Sequence, residues 1–319
     1  MAKQTADPGI GEKFNAQSGR VLNKDGSFNV QQSGFDIRRL HIFQYLIRIS
    51  WFRFFLTLFI AFVIANIVFA SVYFMLGPDA LKSADVDPGI NHFWQSMFFS
   101  VHTMTTVGYG NLYPSGFAAN VLSGIEAMTG LLGFSVATGM VYGRFSRPNA
   151  KIIYSQNAIV VPFHNHHNAL MFRIANLRNS VLMDVEAAAL FTFIEKKGDQ
   201  FMRRYYRMDL ERNTVSYLPL TWTLVHPINE QSFLYGKNVE DHKEMMLEIM
   251  ITIKGFDETY GDIVHSRFSY LYEDIVWGAK FLPSFHVRKG GAAILDIDKI
   301  NAFERVELHK PQEAHVPAS

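Results

Sequence analysis

TTVGYG spans residues 105–110, directly after the aromatic run HFWQSMFFSVHTM at 92–104. The aromatic run reads as a helix too short to cross a bilayer. It enters the membrane and turns, and Pro114 directs the chain back out. A glycine-rich phosphate loop would need a lysine followed by serine or threonine, and none follows here. Irregular backbone at membrane depth is tolerated only where it is buried in protein or lines a water-filled path. Residues 92–116 are therefore expected to form a re-entrant helix and a pore-lining strand.

The flanking segments make that depth a membrane depth. Residues 51–76, WFRFFLTLFIAFVIANIVFASVYFML, carry one charge, Arg53. At about 1.5 Å per residue they cross a hydrocarbon core of roughly 30 Å with some tilt. Residues 117–145, opening FAANVLSGIEAMTG, form a second span with one acid, Glu126. Gly77-Pro78 ends the first span and RFSRP at 144–148 ends the second. Arg38, Arg39, Arg48 and Arg53 precede the spans, and Arg144, Arg147 and Lys151 follow them. The loop between holds Asp79, Lys82, Asp85 and Asp87, so both termini are expected in the cytoplasm of a multi-pass cell-membrane protein. No third span with spaced arginines exists, which excludes a voltage sensor.

Composition narrows the classes further. Of 319 residues, 49% are hydrophobic and 18% charged, with the apolar ones concentrated in the spans. A net charge of +1 gives no pull towards nucleic acid. The absence of cysteine excludes disulfides and thiolate chemistry. No nucleophile and base converge in the motifs, so the chain is not expected to be an enzyme or to need a cofactor.

Gly108 and Gly110 permit the backbone angles that aim successive carbonyls one way. A ring of such carbonyls replaces the hydration shell of a potassium ion. Thr106, Val107, Gly108 and Tyr109 are the expected potassium ligands, with Gly110 closing the motif, and the Thr106 hydroxyl supplies the innermost cage. Val107 and Tyr109 are expected to point outward against the pore helices. One copy supplies a quarter of a ring, so a homotetramer is expected. A membrane-anchored receptor using its β-domain is the alternative, and it needs no filter.

Around this centre, residues 1–35 read as a polar cytoplasmic tail, with a hairpin signal at Asp25-Gly26 inside RVLNKDGSFNVQ (20–31). DIRRLHIFQYLIRIS (36–50) has helical spacing and suits an interfacial slide helix, or an ordinary amphipathic surface helix. From residue 150 to 297 the pattern turns to strands. LEIMITIK (247–254) sets Leu247, Ile249, Ile251 and Ile253 against Glu248, Met250, Thr252 and Lys254. NALMFRIAN, AALFTFIEKKG and DIVWGAKFL are also strand-like, which predicts an antiparallel β-sandwich. Residues 298–319 are expected to be a polar, disordered tail.

With TVGYG between two spans, the chain resembles the inward rectifier potassium channels, in particular their prokaryotic branch, often called KirBac. The resemblance covers roughly residues 20–297 and rests also on LNKDGSFNVQ, SQNAIVV, FRIANLRNS, LTWTLVHPINEQSFLYG and HSRFSYLYEDIVWG. It implies a homotetramer of outer helix, pore helix and inner helix, followed by an immunoglobulin-like cytoplasmic sandwich. It also implies a second constriction at the loop Gly255–Asp262, with Phe256 or a neighbour facing the axis. The chain departs from the strong rectifiers. Phe134 stands where they hold an inner-helix acid, Lys254 where they hold a cytoplasmic acid, and Glu195–Asp199 is mixed in charge. His102 and Leu112 replace the Glu/Arg pair behind their filter. Weak rectification is therefore expected.

Gly130 and Gly139 are candidate inner-helix hinges or close-packing points. Leu131, Ser135, Thr138 and Tyr142 share one helical face, and Tyr142 is the expected gate residue. Glu126 either bonds to the base of the pore helix or lines the cavity. Arg53, Arg144, Arg147 and Lys151 form a basic cluster suited to anionic lipid headgroups. His164, His166 and His167 in FHNHHN are expected in a solvated hairpin turn, with a metal site or pH sensing as the alternatives.

Overall fold

The computed structural model describes residues 4–5, 7–11, 20–30, 42–83, 90–148, 150–164, 167–178, 180–197, 200–288, 290–291 and 293–309. Residues 1–32 with 148–319 form one compact unit and 33–147 a second. The expected slide-helix residues 36–41, His166 and the tail beyond 309 lie outside the described residues.

The helical unit runs α1 (Ile42–Arg48), α2 (Trp51–Leu76), β1 (Leu81–Ser83), α3 (His92–Met104), β2 (Leu112–Pro114) and α4 (Gly116–Phe145). Ser50 caps α2, its hydroxyl accepting from the Arg53 N–H at 3.4 Å. Gly77 at φ 93° ends it, where a left-handed residue and the following Pro78 stop further helix. Asn91 caps α3 by accepting from the Trp94 N–H at 3.2 Å. α2 and α4, at 26 and 30 residues, are long and apolar enough to cross a membrane. In one chain Phe52, Phe59 and Phe117 are exposed, an apolar surface suited to lipid or to other chains. α3, at 13 residues, is about 20 Å long and does not span. Antiparallel pairing of β1 with β2 ties together the two loops that flank it.

The second unit opens with a hairpin. Leu22 pairs with Phe28, Gly26 donates to the Asn23 carbonyl at 3.0 Å, and Asp25 accepts from the Ser27 N–H at 2.9 Å. After the helical unit come β3 (Ile152–Tyr154), β4 (Ala158–Pro162), β5 (Asn168–Asn176), β6 (Leu182–Lys197), β7 (Gln200–Met208), β8 (Thr214–Leu218) and β9 (Thr221–Ile228). Then follow α5 (Val239–Glu244), β10 (Glu248–Asp257), β11 (Asp262–Leu271), β12 (Ile275–Trp277), β13 (Ala279–Phe281), β14 (Phe285–Val287), β15 (Ala293–Leu295) and β16 (Phe303–Arg305). One sheet is ordered β11-β10-β6-β7 with β8 on β6, the other β12-β4-β5-β3 with β9 on β5. Their inner faces share one core, including Val160, Phe172, Ile174, Val185, Phe191 and Tyr270. Leu247, Ile249, Ile251 and Ile253 are fully buried in it, as their alternation requires.

Three expectations are corrected here. The polar C-terminal stretch is packed through at least Arg305. A 3-10 turn at Ile297–Asn301 buries Ile300, and β16 pairs with β13, Phe303 opposite Phe281. Leu308 also packs on the core and His309 exchanges two hydrogen bonds with Asn168, contacts with distant residues that composition does not signal. The strand expected to end at Lys254 runs on to Asp257, and residues 255–257 belong to the ladder rather than to a loop. Glu248, on the face expected to be solvated, is fully buried.

Candidate functional site

The last turn of α3 leads into the residues expected to form the filter. The Thr103 carbonyl accepts from the Thr106 N–H at 3.0 Å, and the His102 carbonyl from Val107 at 2.9 Å and Gly108 at 3.3 Å. Thr106, Gly108 and Gly110 sit at φ 60°, 58° and 81°, whereas Val107 and Tyr109 between them have negative φ. This alternation of positive and negative φ is the backbone pattern that the expected row of carbonyls requires. A missing Cβ at Gly108 or Gly110 would meet nothing within 4 Å, so the backbone angle, not space, demands glycine. Thr106 pays this strain without being glycine. The Tyr109 ring meets the His102 ring edge-on at 4.7 Å, so an aromatic contact stands behind the filter. Most of Tyr109 and half of Val107 remain exposed in one chain.

Glu126 is fully buried, and the structure decides between its two readings. Its Oε2 accepts from the Tyr73 hydroxyl at 2.9 Å and its Oε1 from the Ser100 hydroxyl on the pore helix. It is not a cavity-lining acid. Asn66 and Tyr73 completed the site without being singled out in the sequence, although an asparagine inside an apolar span is itself a signal.

Gly130 lies one turn further along α4, fully in the packing. A Cβ there would stand 2.2 Å from the Met104 carbonyl oxygen, so close approach of pore helix and inner helix explains this glycine. Gly139 has nothing within 4 Å. Leu131, Phe134 and Tyr142 are exposed in one chain, while Ser135 and Thr138 bond back to the carbonyls of Leu131 at 2.8 Å and Phe134 at 2.9 Å.

The basic cluster divides. Arg144 is spent on α1: its guanidinium donates to the Leu46 carbonyl and, at 2.7 Å, to that of Ile49, and it stacks over Trp51 and Phe54 at 4.5 and 4.6 Å. It ties α1 to the inner helix. Arg53 and Arg147 are exposed, and Lys151, also exposed, belongs to the other unit.

In the β unit, Gly255 sits at a bulge between Lys254 and Phe256, buried 3.1 Å (as a Cβ) from the Val185 methyl. Phe256 is half-buried opposite Ile263, and the Asp257–Asp262 pair closes a turn of residues 258–261. Lys254 is exposed, opposite Glu186 on β6 and His265 on β11. Asp257 is buried 3.9 Å from Arg178, away from Lys254. His164 and His167 form the turn between β4 and β5, the His167 N–H donating to the His164 carbonyl at 3.2 Å. Among the described residues no three metal-ligating side chains cluster.

One constellation had no sequence signal. Glu248 accepts from the backbone N–H of Val21 at 2.9 Å and Leu22 at 3.1 Å, and stands 3.5 Å from Arg203, itself fully buried. Burial pulls the Arg203 guanidinium below its ordinary range, and Glu248 opposes that. Ser269 donates to the Leu22 carbonyl, while Arg20 and Lys24 pair with Asp274 at 3.0 and 2.7 Å. The N-terminal hairpin is thereby strapped to β10 and β11.

Two long apolar helices with a short re-entrant helix between them suit an ion channel, and residues 61–147 match the ion channel family model. Residues 152–316 match the inward rectifier potassium channel C-terminal domain. The chain is 34% identical over 295 residues to the inward rectifier potassium channel Kirbac3.1 of Paramagnetospirillum magnetotacticum, covering 91% of this chain and 98% of that one. It is 28% identical to human ATP-sensitive inward rectifier potassium channel 10, covering 90% and 81%, and 26% identical to human channel 15, covering 96% and 86%. The chain belongs to the inward rectifier potassium channel family. It is a membrane channel of the prokaryotic type, not an enzyme, and potassium is its transported ion.

Proposed function

We propose that four copies of this chain surround one pore in which Thr106, Val107, Gly108 and Tyr109 bind dehydrated potassium. The alternation of φ sign from Thr106 to Gly110 carries this reading. The gate is the Tyr142 ring, which closes the inner helices by dewetting, and the end of β10 at Gly255 and Phe256, with the turn that follows to Asp262, forms a second constriction. Both termini lie in the cytoplasm. Anionic lipid headgroups act through Arg53 and Arg147, the exposed members of the basic cluster within the helical unit.

The test is potassium flux into liposomes holding the purified protein, with sodium and barium as controls. Gly108→Ala forces a Cβ onto a left-handed residue, and selective flux should vanish. Retained potassium selectivity in that variant would refute the filter assignment.

Rectification is weak in this reading. A polyamine needs a run of negative charge, and the two key positions hold Phe134 and Lys254. Four lysines at roughly 10 Å and an effective dielectric near 20 repel a cation by about 1–2 kcal/mol per pair before screening. Glu186 opposite each Lys254 offsets part of that and still leaves no acidic ring. Bilayer recordings should show weak block by internal spermine, strengthened in Phe134→Asp/Lys254→Glu. Strong voltage-dependent block of the unmodified protein would show that other acids do this work.

A further inference from the structure

We propose that Glu126, Ser100, Asn66 and Tyr73 form a positioning lock that sets the register of the pore helix and, through it, the selectivity of the filter. The proposal rests on the filter reading above and adds residues remote from the ion path.

The lock is a seam of three helices. Asn66 and Tyr73 lie seven apart on α2, Ser100 and Met104 four apart on α3, and Glu126 and Gly130 four apart on α4, so each pair shares one helical face. All but Met104 and Gly130 present polar groups, and those four polar residues are fully buried. The carboxylate takes one hydroxyl from each neighbour, Tyr73 on α2 at 2.9 Å and Ser100 on α3. Asn66 completes the circuit: its Oδ1 lies 3.0 Å from the Ser100 hydroxyl, and its Nδ2 donates to the Phe62 carbonyl at 2.8 Å and reaches Met104 Sδ at 3.4 Å. One hydroxyl has one proton, which Glu126 and the Asn66 carboxamide oxygen compete for, so the Ser100 side chain is confined between them.

Ser100 is two residues before His102, about 3 Å along the helix axis. The His102 carbonyl is the acceptor for the N–H groups of Val107 and Gly108. A shift of Ser100 is therefore passed to the inner carbonyls of the filter through a single turn of rigid helix. Met104 fixes the same turn from the other side, since its carbonyl packs against Gly130 with no room for a Cβ. In an apolar bilayer interior, buried polar groups of this kind cost free energy unless fully paired, and their pairing specifies one arrangement.

The carboxamide of Glu126→Gln keeps both links, with Oε1 accepting from one hydroxyl and Nε2 donating to the other. Glu126→Leu keeps volume and removes both. Potassium-to-sodium permeability ratios from reversal potentials in planar bilayers read the difference. The expected result is a ratio within twofold of the unmodified channel for Glu126→Gln and at least tenfold lower for Glu126→Leu. Should the leucine variant fail to assemble, Tyr73→Phe and Ser100→Ala, each removing one hydroxyl, are expected to lower the ratio threefold or more. Unchanged ratios in those two variants would overturn the lock, as would a Glu126→Gln loss equal to that of leucine, which would assign the effect to charge. An unmodified channel that conducts potassium and sodium alike would overturn the filter reading itself.

Discussion

Removing the Glu248 carboxylate should release the N-terminal hairpin. In Glu248→Ala, Val21 and Leu22 each lose the acceptor of a buried N–H, and Arg203 loses the carboxylate 3.5 Å away. Breaking a buried pair from one side costs about 3–5 kcal/mol, and each orphaned N–H about 1–3 kcal/mol. The hairpin avoids the second cost by lifting off and hydrating, so the measured loss should stay near 3–5 kcal/mol. That is a large share of the roughly 5–15 kcal/mol that holds a domain together. Hydrogen exchange on the full-length protein reads the hairpin directly, and thermal unfolding reads the total. The amides of Val21 and Leu22 should exchange at least a hundredfold faster. The double variant Glu248→Leu/Arg203→Leu should recover most of the unfolding loss without recovering that protection, because leucine repairs the core and offers the N–H groups no acceptor. Unchanged protection at Val21 and Leu22 in Glu248→Ala would refute the strap.

The two inner-helix glycines should behave differently. Gly130→Ala drives a Cβ into the Met104 carbonyl and should cost about 1–3 kcal/mol, seen as a lowered unfolding midpoint; Gly139→Ala, with no neighbour within 4 Å, should leave the midpoint unchanged. The β unit should lose stability in mild acid. Burial holds His242 down to about 4 from its ordinary 6.5, with Asp241 opposing and Lys237 adding, and burial also lowers His226. Each binds its proton less readily folded than unfolded, so stability is full above 6.5 and declines below it, for His242 down towards 4. Unfolding midpoints across that range should fall, and the fall should be shallower in His242→Phe, which keeps the contact with Trp277.

The features that rest on local physics were legible in the sequence. Two spans follow from length and apolarity, and the short α3 between them cannot cross. The positive φ at Gly108 and Gly110 follows from glycine's tolerance of the left-handed region, and the burial of Ile249, Ile251 and Ile253 from a period of two. What remained hidden depended on partners far along the chain. Glu248 alternates with the core residues as Met250 and Thr252 do, and nothing near it announces that Val21 and Leu22 close over it. Gly130 and Gly139 are alike in sequence and differ only because the Met104 carbonyl faces one of them. Arg144 and Arg147 both mark the inner end of a span, yet only the first meets the carbonyls of α1. Glu126 stood out as an acid in a membrane span, but its partners Tyr73 and Ser100 come from two other helices. Periodicity and backbone preference are properties of neighbours in sequence; which buried group satisfies which is decided only when distant segments pack.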